Sequence, residues 1–187
     1  MSNFNFIPFP ILTTHRLILR RLEMTDDAEI YSLRSDDRVN EFLDRPKTIS
    51  IEQARAFIAK IDDGIVRGQS LYWVITQKQD GKLAGTICLW NLVQETATGE
   101  VGYELKPEFQ GKGIMQEALS AVLDYAFQVM KLEGIEACTH ADNARSSRLL
   151  EKYDFRRKAN PGDLDTGKEV IYFLERPKEE EEKSGEQ

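Results

Sequence analysis

The clearest pattern of apolar and polar positions in the chain runs from Glu100 to Met130. Aromatic and branched residues over 101–105 predict a short strand, and Pro107 stops it. A glycine-bearing turn follows, and apolar residues then recur at the spacing of one helix face. The predicted apolar positions of this helix are Met115, Ala118, Leu119, Val122, Ala126, Val129 and Met130. The segment therefore predicts a strand, a tight turn and a long helix.

Similar patterns on both sides of this segment predict an α/β domain in which antiparallel strands precede the central stretch. Branched and aromatic runs predict further strands at 16–22, 71–77, 83–91, 135–140 and 169–174. Capping signals predict helices that begin near Thr25, at Ser50 and at Ala144. Asp80-Gly81, between two of the strands, is a strong hairpin signal.

The turn Gln110-Gly111-Lys112-Gly113 predicts an anion site at the start of the long helix. The first amides of a helix have no intrahelical partner, and the helix dipole adds positive charge there. A pyrophosphate commonly fills such a site, although a turn of this kind can equally serve only to start the helix. A magnesium-binding P-loop is disfavoured because Gly113 stands where a Ser or Thr is needed. A Rossmann turn is disfavoured because Gln116 takes the place of the third glycine.

Several segments carry a more specific signal because they occur in a fixed order along the chain. Residues 110–115 resemble the Arg/Gln-x-x-Gly-x-Gly/Ala signature of the GNAT N-acetyltransferases, and residues 100–105 resemble the fourth strand of that family. Residues 14–20 are similar to the opening strand of its ribosomal-protein N-terminal acetyltransferase branch. Residues 143–146 and 151–155 resemble the Asn-x-x-Ser and Glu-Lys-Leu-Gly-Phe signatures of that branch. In this chain Met115 replaces a usual Gly or Ala, and Tyr153-Asp154 replaces Leu-Gly.

The resemblance implies a GNAT fold with a mixed, mostly antiparallel sheet of six to seven strands and helices on both faces. The fourth and fifth strands, 100–105 and 135–140, would splay apart, and the pantetheine arm of the co-substrate acetyl-CoA would enter the gap. The implied coenzyme-binding residues are Leu105, Lys106, Gln110, Gly111, Lys112, Gly113, Ile114, Met115, Gln116 and Asn143. We expect Met115 to bind through its amide while its side chain turns into the core.

The implied reaction is direct attack of a primary amine on the thioester in a ternary complex. Roughly a tenth to a fifth of an α-amine is neutral at pH 7, so a general base is worth less for it than for lysine. Glu100 and Glu104 are the candidate bases. Strand alternation places both carboxylates on one face, where mutual repulsion would raise one pKa. Glu100 matches the general base of histone-acetylating relatives, and Ser146 and Tyr153 are candidates for the acid.

The acceptor is less well defined than the reaction. In the resembling family, the region that joins the first two helices, here 36–49, helps to form the acceptor side of the cleft. The favoured acceptor is a protein N-terminal α-amine. A small-molecule amine, such as a polyamine, an amino acid or an aminoglycoside, is the alternative within the enzyme class. An acyl-CoA-binding sensor without turnover is the alternative from another class.

The composition of the chain limits the classes of partner that it can bind. A chain of 187 residues with a net charge of −7 is repelled by nucleic acid and by anionic membranes. The sequence shows neither an apolar run of membrane-spanning length nor a secretory signal, so we expect a cytoplasmic protein. Cys88 and Cys138 lie in apolar, strand-like surroundings and are interpreted as reduced core thiols, so we expect no metal site.

The predicted domain limits are an apolar arm at 1–11, the acetyltransferase domain at 12–175 and an acidic, disordered tail at 176–187. Prolines 8 and 10 prevent a helix in the arm, which we expect to pack on its own domain. Phe4, Phe6 and Phe9 are also candidates for a homodimer contact.

Overall fold

The structure is a computed structural model that describes residues 4–158 and 169–177. Its strands are β1 (Leu12–Thr13), β2 (Leu17–Arg21), β3 (Leu71–Gln77), β4 (Leu83–Val93), β5 (Thr98–Leu105), β6 (Gly134–His140), β7 (Arg156–Arg157) and β8 (Glu169–Glu175). They form one sheet in the order β1-β2-β3-β4-β5-β6-β8-β7. Every neighbouring pair is antiparallel except β5 and β6. The predicted mixed, mostly antiparallel sheet is confirmed, and the two-residue strands β1 and β7 extend it.

Helices cover both faces of this sheet. They are α1 (Asp27–Ser35), α2 (Asp37–Asn40), α3 (Ile51–Val66), α4 (Ile114–Asp124) and α5 (Ala144–Lys152). Tyr72 and Trp73 are adjacent on β3 and therefore point to opposite faces. Phe57 of α3 contacts Tyr72, whereas Tyr125, just after α4, contacts Trp73. The two helices thus pack on opposite sides of the sheet.

Side-chain caps set two of the predicted helix starts. The Ser50 hydroxyl accepts from the Gln53 amide at 3.3 Å, and α3 begins at the next residue. The Asn143 side chain accepts from the Ser146 amide at 3.1 Å and caps α5 in the same way. A polar side chain that satisfies a first-turn amide stabilises a helix by about 1 kcal/mol. The capping residues therefore locate both helices along the chain.

The end of the long helix differs from the prediction. After α4, residues Tyr125–Val129 form a π-helical turn. Such a turn holds one residue more than an α-helical turn, so the side chains beyond it rotate out of the helical repeat. Ala126 and Phe127 are still buried, whereas Val129, the last residue of the turn, is 64% exposed. The prediction that Val129 belongs to the apolar face is therefore wrong, because it assumed an unbroken α-helical period.

The N-terminal arm packs on its own domain. Phe6 is buried in the core, and the Trp73 indole donates to the Pro10 carbonyl at 2.7 Å. Residues 1–3 of the arm and residues 178–187 of the predicted acidic tail lie outside the described residues. Across the described ranges, no helix combines the length and the apolar character that crossing a membrane requires.

A gap opens between β5 and β6. The two strands share three residue pairs, which run from Thr98–Gly134 to Glu100–Glu136. Beyond that point β5 continues to Leu105 along β4, and β6 continues alongside β8. The predicted splay is therefore present, and the pair Glu100–Glu136 marks its apex.

Candidate active site

A concave backbone loop precedes α4. Gly111 and Gly113 both have a φ of 73°, the left-handed conformation that glycine adopts without strain. No atom lies within 4 Å of the position that a Cβ on Gly111 would take, so the loop is open on that side. Gly113 is the N-cap residue of α4, whose first amides have no intrahelical partner. This loop, residues 110–113, is here named the anion loop; the predicted pyrophosphate site would use its open side and the free first amides of α4.

Arg16 and Glu117 hold this loop from outside. Arg16 Nη1 donates to the Lys112 carbonyl at 3.0 Å, and Arg16 Nε donates to Glu117 Oε2 at 2.6 Å. Burial acts to raise the pKa of Glu117, but hydrogen bonds from Thr14 and Arg16 outweigh it and lower this pKa to about 2. Sequence reasoning missed Arg16, although the residue lies inside the motif of the opening strand. Its charge is paired with the Glu117 carboxylate, so its contribution here is to hold the Lys112 carbonyl in place.

The backbone of Lys106 does not face the gap. Its amide donates to the Ala84 carbonyl at 2.9 Å, and its carbonyl accepts from the Phe109 amide at 3.0 Å. Its side chain is buried and forms an ion pair with Glu29. Lys106, predicted to bind coenzyme through its backbone, thus has both backbone groups already in use. The reason is strand register, which turns this residue toward β4.

Unlike Lys106, Tyr103 and Leu105 direct their backbone groups into the gap. A Cβ on Gly85 would stand 2.2 Å from the Glu104 carbonyl oxygen, so Glu104 also turns toward β4. Backbone groups alternate in direction along a strand, and Tyr103 and Leu105 therefore face the gap. Gln110 Nε2 donates to the Leu105 carbonyl at 3.0 Å. The Leu105 amide and the backbone groups of Tyr103 remain for a strand-like ligand.

Side chains of α5 close the far side of the gap. Tyr103 Oη and Ser146 Oγ are 2.8 Å apart, and the Ser146 amide donates to the Asn143 side chain. Arg145 donates to Oε1 of Gln110, so the same glutamine contacts both β5 and α5. Burial raises the pKa of Tyr103 to about 12, which keeps its hydroxyl protonated at neutral pH. Ser146 thus contacts β5 through Tyr103, and Asn143 is linked to this contact through the Ser146 amide.

The remaining predicted coenzyme residues lie at the start of α4. The side chains of Ile114 and Met115 are buried, which agrees with the expectation that Met115 turns into the core. The Gln116 carbonyl accepts from the Tyr153 hydroxyl at 2.6 Å, so Tyr153 is already engaged. Asp154 has a φ of 62°. This left-handed conformation explains why a glycine suits the same place in the signature.

A cleft of about 1750 Å³ lies beside the gap. The lining includes Phe42, Cys88, Trp90, Glu100, Cys138 and His140. Both cysteines are free, but Cys138 is exposed at the cleft, so its predicted place in the core is wrong. Side chains alternate between the faces of β6, and Cys138 lies on the same face as Glu136 and His140, which also line the cleft.

Glu100 stands at the apex of the gap and lines the cleft. Burial raises its pKa, and the nearby carboxylates of Glu136 and Glu169 raise it further, while a hydrogen bond from Asn91 Nδ2 at 2.8 Å lowers it. Repulsion from Glu104, which we expected, is not among these causes. A carboxylate with a raised pKa that is still open to a cleft suits a general base.

Glu104 has different surroundings on the same face of β5. Both carboxylates act on Cys88, which lies opposite Gly102 in register, and together with burial they raise its thiol pKa to about 12. Glu104, however, accepts hydrogen bonds from both terminal nitrogens of Arg45. One of these nitrogens, Nη2, lies 2.8 Å from Oε2. Arg34 Nη1 lies 3.6 Å from Oε1. Two guanidinium groups thus surround this carboxylate.

The splayed sheet, the anion loop and the carboxylate at the apex define a class of enzyme, the transferases that take an acyl group from a coenzyme thioester. Residues 16–156 match the family described as "Acetyltransferase (GNAT) domain", and the chain belongs to this family. It is an acetyl-CoA-dependent N-acetyltransferase by fold and by relationship.

Three relatives illustrate this membership. The uncharacterized N-acetyltransferase YoaA of Bacillus subtilis (strain 168) is 35% identical over 150 residues, 80% of this chain and 85% of the relative. The crystal structure of a GNAT-family acetyltransferase from Bacillus anthracis is 26% identical, with a TM-score of 0.74 over 89% of this chain and 99% of that one. RimL, a ribosomal L7/L12 α-N-protein acetyltransferase solved with coenzyme A, has a TM-score of 0.77 at 20% identity over 89% and 98% of the two chains. This last likeness concerns the fold.

Proposed function

We propose that the protein transfers the acetyl group of acetyl-CoA to the α-amine of a protein N-terminus, with Glu100 as the general base. The observation that carries this proposal is the position of Glu100. Its half-buried carboxylate lines the cleft at the last residue pair that β5 and β6 share. A base at this apex lies between the gap that takes the coenzyme and the cleft that admits an amine.

The coenzyme would be held mainly by backbone. Amides at 111–116, around Gly111 and Gly113, would bind the pyrophosphate, and Arg16 supports the loop from outside. The gap-facing groups of Tyr103 and Leu105 would pair with the pantetheine arm, beside Asn143 of α5. A gap-facing β5 amide would then receive the negative charge that develops on the thioester oxygen.

Groups on the two faces of β5 would accept and return the proton. Glu100 takes a proton from the attacking amine as the C–N bond forms and the C–S bond breaks. The raised pKa of Glu100 makes it a stronger base than an exposed carboxylate, although an α-amine needs only modest help at pH 7. On the opposite face, Tyr103 and Ser146 form a hydroxyl pair that can return a proton to the departing thiolate.

The choice of acceptor rests on the resemblance to the ribosomal-protein branch and on the fold shared with RimL. A small cationic amine is the second candidate, because Glu100, Glu136 and Glu169 give the cleft wall a negative charge that attracts cations.

An acceptor panel tests the proposal. Peptides with free Ser, Ala, Thr or Met N-termini, the same peptides with blocked N-termini, spermidine and an aminoglycoside are each incubated with acetyl-CoA, and thiol release is measured. We expect turnover with free N-termini and none with the blocked peptides. Turnover confined to spermidine or the aminoglycoside would reassign the acceptor. Tight acetyl-CoA binding without turnover of any amine would support the sensor alternative.

A further inference from the structure

Glu104 and His140 occupy equivalent places on the two diverging strands. Glu104 lies four residues beyond the apex on β5, from 100 to 104, and His140 lies four beyond it on β6, from 136 to 140. A strand rises about 3.3 Å per residue, so both positions lie about 13 Å from the apex. They therefore mark the two sides of the open end of the gap.

Residues 41–45, here named the bridge segment, contact both sides. Arg45 binds Glu104 on β5 through both terminal nitrogens. The Phe42 ring lies 5.6 Å from the His140 ring on β6, at an interplanar angle of 39°. The bridge segment thus spans the open end of the gap, between α2 and α3.

The ionic contact is built more firmly than the aromatic one. The Arg45 and Glu104 side chains are 18% and 14% exposed. Arg45 Nε also donates to Oδ1 of the buried Asn40 at 3.0 Å. Asn40 Nδ2 in turn donates to the carbonyls of Arg34 and Asp36, at 2.9 and 2.8 Å. The guanidinium is therefore fixed at both of its ends.

Glu104 also holds two like charges together. Burial and the neighbouring Arg45 lower the pKa of Arg34, and Glu104 acts in the opposite direction. Without the carboxylate, two part-buried guanidinium groups would face each other and repel. Without Arg45, by contrast, Glu104 could still pair with Arg34. Loss of Glu104 should therefore displace the bridge segment more than loss of Arg45.

We infer that Glu104 and Arg45 are positioning residues, which hold the bridge segment across the gap and so set the path of the amine acceptor. This inference rests on the proposed acetyl transfer. It assigns the proton chemistry to Glu100 and an anchoring role to Glu104, although both carboxylates share one face of β5. Specificity for the acceptor would then depend on a partly buried ion pair as well as on the residues that touch the acceptor.

The test compares Glu104→Gln, Arg45→Gln and the double variant with the parent. Arg38→Gln is the matched control, because Arg38 lies in the same region but forms an exposed ion pair with Asp36. For Glu104→Gln we expect kcat/KM for the acceptor to fall on the order of 100-fold, as for a displaced positioning element. Acetyl-CoA affinity should stay unchanged. The double variant should recover part of the loss, because two neutral side chains no longer leave the guanidinium of Arg45 unpaired.

Hydrogen exchange over 41–49 gives a readout that needs no turnover. Glu104→Gln should speed exchange there and leave α4 and β6 unchanged. If Glu104→Gln speeds exchange over 41–49 but the parent acetylates no amine, the role of Glu104 in holding the bridge segment would stand and the proposed function would be overturned. If the parent is active but Glu104→Gln leaves exchange over 41–49 unchanged, only the role of Glu104 in holding the bridge segment would be overturned. An abolished kcat in Glu104→Gln, with no recovery in the double variant, would identify Glu104 as the base and also overturn the inference.

Discussion

The coenzyme side of the active site is built mainly from backbone groups, whereas the acceptor side is built mainly from side chains. On the coenzyme side, residues 110–116 present backbone amides, and the essential feature is a left-handed turn at the start of a helix. On the acceptor side, the bridge segment and Glu104 depend on side chains from distant parts of the chain. Backbone recognition tolerates many sequences, whereas a network of ion pairs can be altered by one substitution. The acceptor side is therefore where related enzymes can diverge most readily.

The largest expected effect concerns the residue between the two sides. Glu100→Gln should lower kcat about 100- to 1,000-fold, the lower part of the range for loss of a general base because an α-amine needs only modest help, and leave acetyl-CoA affinity unchanged. Steady-state kinetics and calorimetry measure the two quantities. A parallel loss of affinity would show that Glu100 belongs to the coenzyme side.

The pH profile sharpens this prediction. The base must be deprotonated to act, so activity should rise as pH rises through the pKa of Glu100, which lies above the ordinary value of about 4.3. Glu136→Gln removes one charge that raises this pKa and should move the acidic limb to lower pH. Glu100→Gln should remove the limb. A limb that survives in Glu100→Gln would contradict the assignment.

The next effect isolates the coenzyme side. Gly113→Glu places a carboxylate in the anion loop and forces a side chain into a left-handed conformation, so acetyl-CoA affinity should fall about 100-fold. Gly81→Glu is the matched control, because Gly81 has a φ of 70° and no atom lies within 4 Å of the position that a Cβ there would take. Equal losses in the two variants, measured by calorimetry, would mean that backbone strain rather than anion binding explains the result.

A smaller effect concerns the support of the loop. Glu117→Gln should lower the free energy of unfolding by about 1 kcal/mol at pH 7. The pKa of Glu117 is depressed, so its contribution is present above the unfolded value of about 4.3 and is lost as pH falls toward 2. Urea unfolding at pH 7 and pH 3 should therefore show a difference from the parent that shrinks in acid. An equal difference at both pH values would point to packing instead.

The smallest effect lies on the acceptor side. Tyr72 is 7% exposed, and among residues 4–158 and 169–177 its hydroxyl has no well-formed hydrogen bond, with at most a weak contact to the Thr86 side chain. Removal of an unsatisfied buried hydroxyl is close to neutral or stabilising, so Tyr72→Phe should change the free energy of unfolding by less than about 1 kcal/mol. Thermal unfolding checks this value. A clear destabilisation would reveal a partner for the hydroxyl, such as a buried water.

Sequence reasoning succeeded where the information is local. The glycine turn that starts α4, the Asn143 cap and the strand before Pro107 are each specified by a few consecutive residues. It failed where three-dimensional contacts decide. Arg45 and Glu104 are separated by 59 positions, and the Arg16–Glu117 contact spans 101.

Register and helix type explain the other differences. Whether the Lys106 amide faces the gap depends on its pairing with β4, which composition does not encode. The exposure of Val129 follows from a π-helical turn that breaks the helical period.

The gap between β5 and β6 has a consequence for the behaviour of the protein without coenzyme. Beyond Glu100 and Glu136 the two strands do not pair with each other, so the sheet contains two facing edges in its interior. Strand edges that lack a partner can recruit strands from other chains and so promote aggregation. A coenzyme arm that fills the gap would cover both edges at once. We therefore expect coenzyme to act as a solubilising ligand, and cells that lack it to hold a more aggregation-prone form of the enzyme.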